Sequence, residues 1–230
     1  MKEKNSNNLL IIFMKAPVNG TFKTRLQPQL SQKIIRKLYK AMGTDLIRNL
    51  GHSPNFDLHI YYWPEKKLLE MKKWLGTNVR YVPQKGLDLG ERLLDAFAAS
   101  FSFGYQHVCV IGSDLPTLAE GLVRESFEHL KSFDMVIGPS KDGGYYLVAL
   151  KELHSILFES ISWSTDKVLL QTLNNASKIG LSVKRMKTEN DIDSFEDLKR
   201  LYRQVQKKID FRIPLTKEVL SHIFVRSGNK

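Results

Sequence analysis

A chain of 230 residues with 42% hydrophobic content buries a full core and reads as one α/β-sized domain over 1–230, although two domains are not excluded. Its 35 Lys+Arg against 24 Asp+Glu give a formal charge of +11, which favours an anionic partner without choosing among nucleotides, sugar phosphates, nucleic acid or an acidic membrane surface. The single cysteine, Cys109, excludes an intrachain disulfide and points to a buried structural thiol in a reducing, cytoplasmic setting.

The polar tail 1–8 leads into LLIIFM (9–14), the first of several short β-branched runs that read as buried strands. Its apolar stretch is far shorter than the ~20 residues of a bilayer span, so neither export nor a membrane span is expected. KAPVNGTFKTRL follows. Pro17 and Gly20 mark a tight loop, and Lys15, Lys23 and Arg25 bring positive charge to the strand end, where phosphate oxygens can meet ammonium, guanidinium and backbone N–H groups. The pattern matches neither GxxxxGK[ST] nor GxGxxG, and by itself it also fits a solvated loop.

LHIYYW (58–63) and VRYV (79–82) are the next strands. LGERLLDAFAASF then places Leu89, Leu93, Leu94, Phe97, Ala98 and Phe101 on one helical face, with Asp88 and Glu91 at capping-box spacing. The fourth strand, HVCVIG (107–112), runs into SDLP. Asp114 there is either a hard oxygen ligand for Mg²⁺ or Mn²⁺ held between protein and diphosphate, or the cap of a helix beginning near Thr117. MVIG (135–138) and YYLVAL (145–150) flank Asp142-Gly143-Gly144, which suits either a close approach to a ligand or a hairpin turn. Trp163, Ser164 and Thr165 stand at a helix start. Asp191 and Asp193 precede another helix, where Asp193 with Glu196 also has capping-box spacing. The basic stretch from about residue 199 breaks at Ile213-Pro214 before a C-terminal helix, TKEVLSHIF, so that 208–230 forms a basic extension. Strands alternating with helices imply a doubly wound, mainly parallel sheet with its ligand crevice beyond the carboxyl ends of the strands.

Five motifs in order, FxKxPxxGxxKTRL, GSDLP, DGGYYL, WST and DIDSxEDL, resemble the radical-SAM/selenodomain-associated transferases, which are placed among the GT-A-type glycosyltransferases. More distantly the chain is similar to molybdenum-cofactor and 2-phospholactate guanylyltransferases. The resemblance implies a GT-A-like three-layer α/β/α sandwich with a mainly parallel twisted sheet. It also implies a nucleotide sugar or nucleoside triphosphate across the first half of that sheet and Mg²⁺ or Mn²⁺ near Asp114. By position, Lys23 and Arg25 match the phosphate-binding loop, together with Lys15, Pro17, Gly20 and Thr24. Asp114 matches the metal-binding aspartate, and Asp191 or Asp193 the carboxylate approaching the metal from the far side. Gln84, Gly86 and Asp88 fall where related folds contact the nucleotide. Asp142, Gly143, Gly144 and Tyr145 fall on the acceptor side, joined by Trp163, Ser164 and Thr165. Tyr145, Tyr146 and Trp163 also suit the core. One departure is the missing LAGGxGxRM-like first loop, which weakens a nucleotidyltransferase reading.

The expectation is therefore metal-dependent transfer of a sugar from a nucleotide sugar to a small acceptor. Metal, Lys23 and Arg25 would neutralise the diphosphate leaving group, and Asp142 would orient or deprotonate the acceptor hydroxyl. The alternative is nucleotidyl transfer from a triphosphate to a phosphorylated acceptor with release of pyrophosphate. A non-catalytic module that binds a nucleotide, or RNA through the basic C-terminal face, is a third reading. It is disfavoured because Tyr202 and Phe211 are the only aromatics among those basic residues.

Overall fold

Period-two alternation in the first strand sorts its side chains to two faces, and that sorting organises the molecule. A computed structural model describes residues 5–18, 22–207 and 212–227. In β1 (Asn8–Lys15), Leu10, Ile12 and Met14 pack into one apolar layer and Leu9 and Ile11 into another. The first layer is completed by α1 (Gln32–Leu50), α2 (Leu68–Leu75) and α4 (Glu120–His129). The opposite layer is completed by α3 (Leu89–Ser102) and α5 (Val168–Lys178). The result is the expected three-layer α/β/α sandwich.

The sheet has seven strands in the order β3-β2-β1-β4-β6-β5-β7, with β2 at Asp57–Trp63, β3 at Arg80–Pro83, β4 at His107–Gly112, β5 at Met135–Pro139, β6 at Tyr145–Leu150 and β7 at Val183–Arg185. All pairings are parallel except those of β6, which runs antiparallel to both β4 and β5. Asp142-Gly143 thus closes a β5–β6 hairpin. The carboxylate of Asp142 accepts from the Ser140 hydroxyl and from the Gly144 N–H at 3.0 Å, and Gly143 takes φ 88°. The six expected strands are present within about a residue at each end. β7 escaped the sequence reading because its three residues, Val-Lys-Arg, carry too little apolar signal.

Several helix expectations are corrected. The helix after β4 begins at Glu120, capped by Ala119, so Asp114 is not its N-cap. Trp163, Ser164 and Thr165 form a turn ahead of α5 rather than its first residues. The cap of α6 (Phe195–Gln206) is Ser194 in a reciprocal capping box with Asp197, one residue beyond the expected Asp193–Glu196 pair. This leaves the Asp193 side chain available. In α3, Asp88 accepts from the Glu91 N–H, but the Glu91 carboxylate accepts from Leu87, so only half of the expected box forms. The buried stripe of α3 is Gly90, Leu93, Ala96, Phe97 and Ser100. Leu89 is exposed.

A third apolar cluster lies outside the sandwich, where α7 (Pro214–Ser227) and α6 cover the outer side of α1. Asp45, fully buried on α1, accepts from the N–H groups of Leu215 and Thr216 and so caps α7 from across the interface. The near end of the polar tail is tied down by the Asp57 carboxylate, which accepts from Asn5 and Ser6. Cys109 is buried, with its thiol pKa pushed up to about 12 by desolvation. Among the described residues no helix is long and apolar enough to cross a membrane.

Candidate active site

The carboxyl ends of β1 and β4 meet a third segment that reaches them from β7. After Arg185 the chain hydrogen-bonds alongside β5, through Met186 to Ile137 and Glu189 to Pro139, and Tyr146 donates to the Lys187 carbonyl. The Ile192 N–H then reaches the Asp114 carbonyl at 2.9 Å. This path delivers Asp191 and Asp193 to the turn carrying Asp114.

Lys23 comes from the opposite side. It caps the 3-10 turn Thr24–Leu26 in a left-handed conformation, φ 53° and ψ 42°, which lysine adopts only when its surroundings hold it there. Its ammonium lies 2.9 Å from an oxygen of Asp114 and 2.9 Å from one of Asp193, and it also donates to the Ile192 carbonyl. The lysine side chain is 3% exposed, whereas the two carboxylates are 40% and 43% exposed. Burial alone would lower the ammonium's pKa. The charges and hydrogen bonds of Asp114 and Asp193 outweigh it, so the net shift is upward and Lys23 stays charged.

Asp191 stands beside this cluster with its pKa raised to about 7, first by burial and then by the negative charges of Asp114 and Asp142, with Lys23 offsetting part of the effect. Asp114 and Asp193 thus share one ammonium, with Asp191 beside them and Asp142 near Asp191, so carboxylates outnumber the cations at this point. Among the described residues no three His, Cys, Asp or Glu side chains are gathered into a ready ligand shell. That combination fits Mg²⁺ or Mn²⁺ held by one or two carboxylates plus substrate phosphates better than an all-protein cage.

The other expected residues form a second group across the strand ends. Gln84 continues β3, its backbone N–H on the Tyr62 carbonyl and its side-chain amide on that of Tyr61. Gly86 takes φ 129°, and its carbonyl accepts from the Arg92 side chain, whose guanidinium lies over the Trp63 ring. A Cβ on Gly90 would come within 2.8 Å of Trp163, so Trp163 packs directly on the first turn of α3. A Cβ on Gly143 would come within 2.2 Å of the Asp166 carbonyl, so the hairpin turn and the turn of Trp163, Ser164 and Thr165 are in contact. Thr165 closes its own turn on the Ser162 carbonyl, and Ser164 is left-handed at φ 65°. Tyr145 turns its hydroxyl inward toward the buried Thr172 hydroxyl, and desolvation pushes its pKa up. Thr24 and Arg25 are exposed, and among the described residues no carboxylate pairs with Arg25. Lys15 is exposed at the end of β1, and Pro17 is half-buried after it. Gly20 lies outside the described residues.

Sequence reasoning missed Tyr39. It is buried on α1, and its hydroxyl meets the N–H of Lys15 at 2.9 Å, the Lys15 carbonyl at 3.1 Å and the Ser113 hydroxyl at 3.3 Å. It ties the first loop to the residue before Asp114. A polar tip on an otherwise apolar helix face was the available signal.

A family model described as "Uncharacterized protein conserved in bacteria (DUF2064)" matches residues 46–165, just over half of the chain. The chain belongs to the DUF2064 family. This DUF2064 protein has a solved structural relative from Desulfovibrio desulfuricans, assigned to the nucleotide-diphospho-sugar transferases. That relative is 33% identical with a TM-score of 0.90, and the match covers 96% of this chain and 98% of the other. A 2-phospho-L-lactate guanylyltransferase of Methanocaldococcus vulcanius is 25% identical over 195 residues, 84% of each chain. The DUF2064 protein also shares its fold, at 14% identity and a TM-score of 0.56, with a 4-diphosphocytidyl-2C-methyl-D-erythritol synthase of Anaerococcus prevotii, matched over 87% of this chain and 97% of that one. The fold is that of the nucleotidyl and nucleotide-sugar transferases.

Proposed function

We propose that this protein transfers a nucleotidyl group from a nucleoside triphosphate to a phosphorylated small acceptor and releases pyrophosphate. The observation that carries the reading is the convergence of Lys23, Asp114, Asp191 and Asp193 at the strand ends of the sheet. The guanylyltransferase relative, similar over 84% of both chains, supports nucleotidyl transfer ahead of the sugar transfer expected from the motifs. In this reaction a phosphate oxygen of the acceptor attacks the α-phosphorus, the bond to the bridging oxygen breaks, and pyrophosphate leaves. Mg²⁺ or Mn²⁺, held by Asp114 with Asp193 or Asp191, would supply neutralisation of the triphosphate charge. Lys23 and Arg25 add positive charge for the leaving pyrophosphate, and Asp88 and Gly86 line the nucleotide side. Asp142 spends one oxygen on its own turn, which favours an orienting role over proton abstraction.

Sugar transfer from a nucleotide sugar is the second reading, favoured by the 33% identical structural relative and by the lack of a glycine-rich first loop. The product separates them. The protein is incubated with Mg²⁺ and each nucleoside triphosphate plus phosphorylated hydroxy acids, 2-phospho-L-lactate included, and in parallel with nucleotide sugars. Pyrophosphate release supports the first reading and nucleoside diphosphate release the second. Asp114→Ala is expected to abolish turnover with the fold intact by circular dichroism. Unchanged turnover removes Asp114 from the chemistry.

A further inference from the structure

The three N–H donors of the Lys23 ammonium have three acceptors: Asp114, Asp193 and the Ile192 carbonyl. It therefore does not stand free to receive a phosphate. It fills the inner side of the pair of carboxylates to which the proposed function assigns a divalent ion. We propose that Lys23 is the resident cation of this site, and that a divalent ion binds there in competition with the lysine, which makes Lys23 a latch coupling ion binding to phosphate binding.

Three independent features point this way. The side chain is 3% exposed while both carboxylates are about two-fifths exposed, so the ammonium approaches from within and the aspartates open outward to arriving ligands. The backbone at Lys23 is left-handed in a residue other than glycine, a strained conformation held in place by what the side chain grips, and release of the grip frees Lys23 to relax. Electrostatics disfavours sharing: an ammonium and a divalent cation held by the same two carboxylates repel at short range, so each weakens the other's hold. The displaced ammonium then has one natural destination, the phosphate oxygens of a nucleotide entering beside Asp114. Phosphates would draw Lys23 off the carboxylates as the ion takes its place, so ion and nucleotide would bind with positive cooperativity. This inference rests on the reading of Asp114 and Asp193 as a cation site next to a phosphate site.

The test needs no substrate. Mn²⁺ binding is followed by electron paramagnetic resonance for the full chain, for Lys23→Met and for Lys23→Met combined with Asp114→Asn. Lys23→Met is expected to bind Mn²⁺ about tenfold tighter than the unaltered chain, and Asp114→Asn to remove that gain. Because deleting any nearby positive charge also raises affinity, a second measurement follows the unaltered lysine. Acetylation read by mass spectrometry should find Lys23 protected in the free protein and labelled when Mn²⁺ saturates the site. Equal affinity in Lys23→Met overturns the latch, and so does Mn²⁺ saturation with Lys23 still protected. Neither measurement involves nucleotide turnover. Failure of the transfer reading would show as an absence of pyrophosphate release with these results unchanged, and the latch can fail while pyrophosphate release persists.

Discussion

Tyr39 holds Lys15 by both of its backbone groups, accepting from the N–H at 2.9 Å and donating toward the carbonyl at 3.1 Å. Its oxygen also lies 3.3 Å from the Ser113 hydroxyl, so one buried phenol braces the end of β1 against the residue before Asp114. Desolvation first, then the nearby Asp114 charge, raises the phenol's pKa to about 12 and keeps it protonated. Tyr39→Phe leaves Lys15 short of both partners at a point where the first loop begins. We expect a loss of about 1–3 kcal/mol, seen as a Tm lower by several degrees, together with weaker nucleotide binding in a thermal-shift titration. An unchanged Tm and unchanged nucleotide response would show that the brace carries nothing.

Gly143 and Gly76 both have positive φ, 88° and 82°, but only the first is crowded. Gly76→Ala meets nothing within 4 Å, so its cost is that of the backbone alone, held at φ 82° and ψ −165° in a region left almost wholly to glycine, about 1–3 kcal/mol. Gly143→Ala adds a collision with the Asp166 carbonyl, and we expect about 3 kcal/mol or more. It should also part the hairpin turn from the Trp163 turn. The check is the pair of denaturant midpoints, with tryptophan fluorescence altered only in Gly143→Ala.

His59 sets an acid limit. Burial first, and the Arg80 charge second, push its pKa from 6.5 down to about 4, with Asp57 offsetting a part. The folded ring is neutral while the unfolded chain takes up a proton below pH 6.5, so this contribution is complete above that pH and is lost as pH falls toward 4. The full loss is at most about 3 kcal/mol. Urea midpoints measured between pH 7 and pH 4, limits chosen to bracket about 4 to 6.5, should fall less steeply in His59→Leu than in the unaltered chain. Parallel slopes would remove His59 as the cause.

Asp45 caps α7 from α1, its carboxylate 2.7 Å from the Thr216 nitrogen. Asp45→Ala leaves two helix N–H groups facing a buried space, and we expect a loss of about 2 kcal/mol. Hydrogen exchange should speed up in 214–227 ahead of the sheet. Uniform acceleration across the chain would instead mean that α7 does not open separately.

Strand existence and type were legible in the sequence because LLIIFM, HVCVIG and YYLVAL are unbroken apolar runs bounded by turn residues, and such runs have few alternatives to burial in a sheet. β7 was not legible, since Val183–Arg185 is held by its pairing to β5 rather than by its own composition. The start of α6 was misjudged by one residue, because Asp193 and Ser194 both satisfy capping spacing and the reciprocal bonding of Ser194 with Asp197 decided between them.

The residue types of the site were also legible: carboxylates directly after buried strands and a cluster of cations after the first. What each does there was decided only in three dimensions. Lys23 and Asp193 are 170 residues apart along the chain and 2.9 Å apart in space, and no local pattern encodes that distance. The path of 186–192 along β5 and onto the Asp114 carbonyl creates it. Side-chain chemistry and burial propensity belong to the residue, whereas a charge's partner, its pKa and the cation it will accept depend on long-range packing.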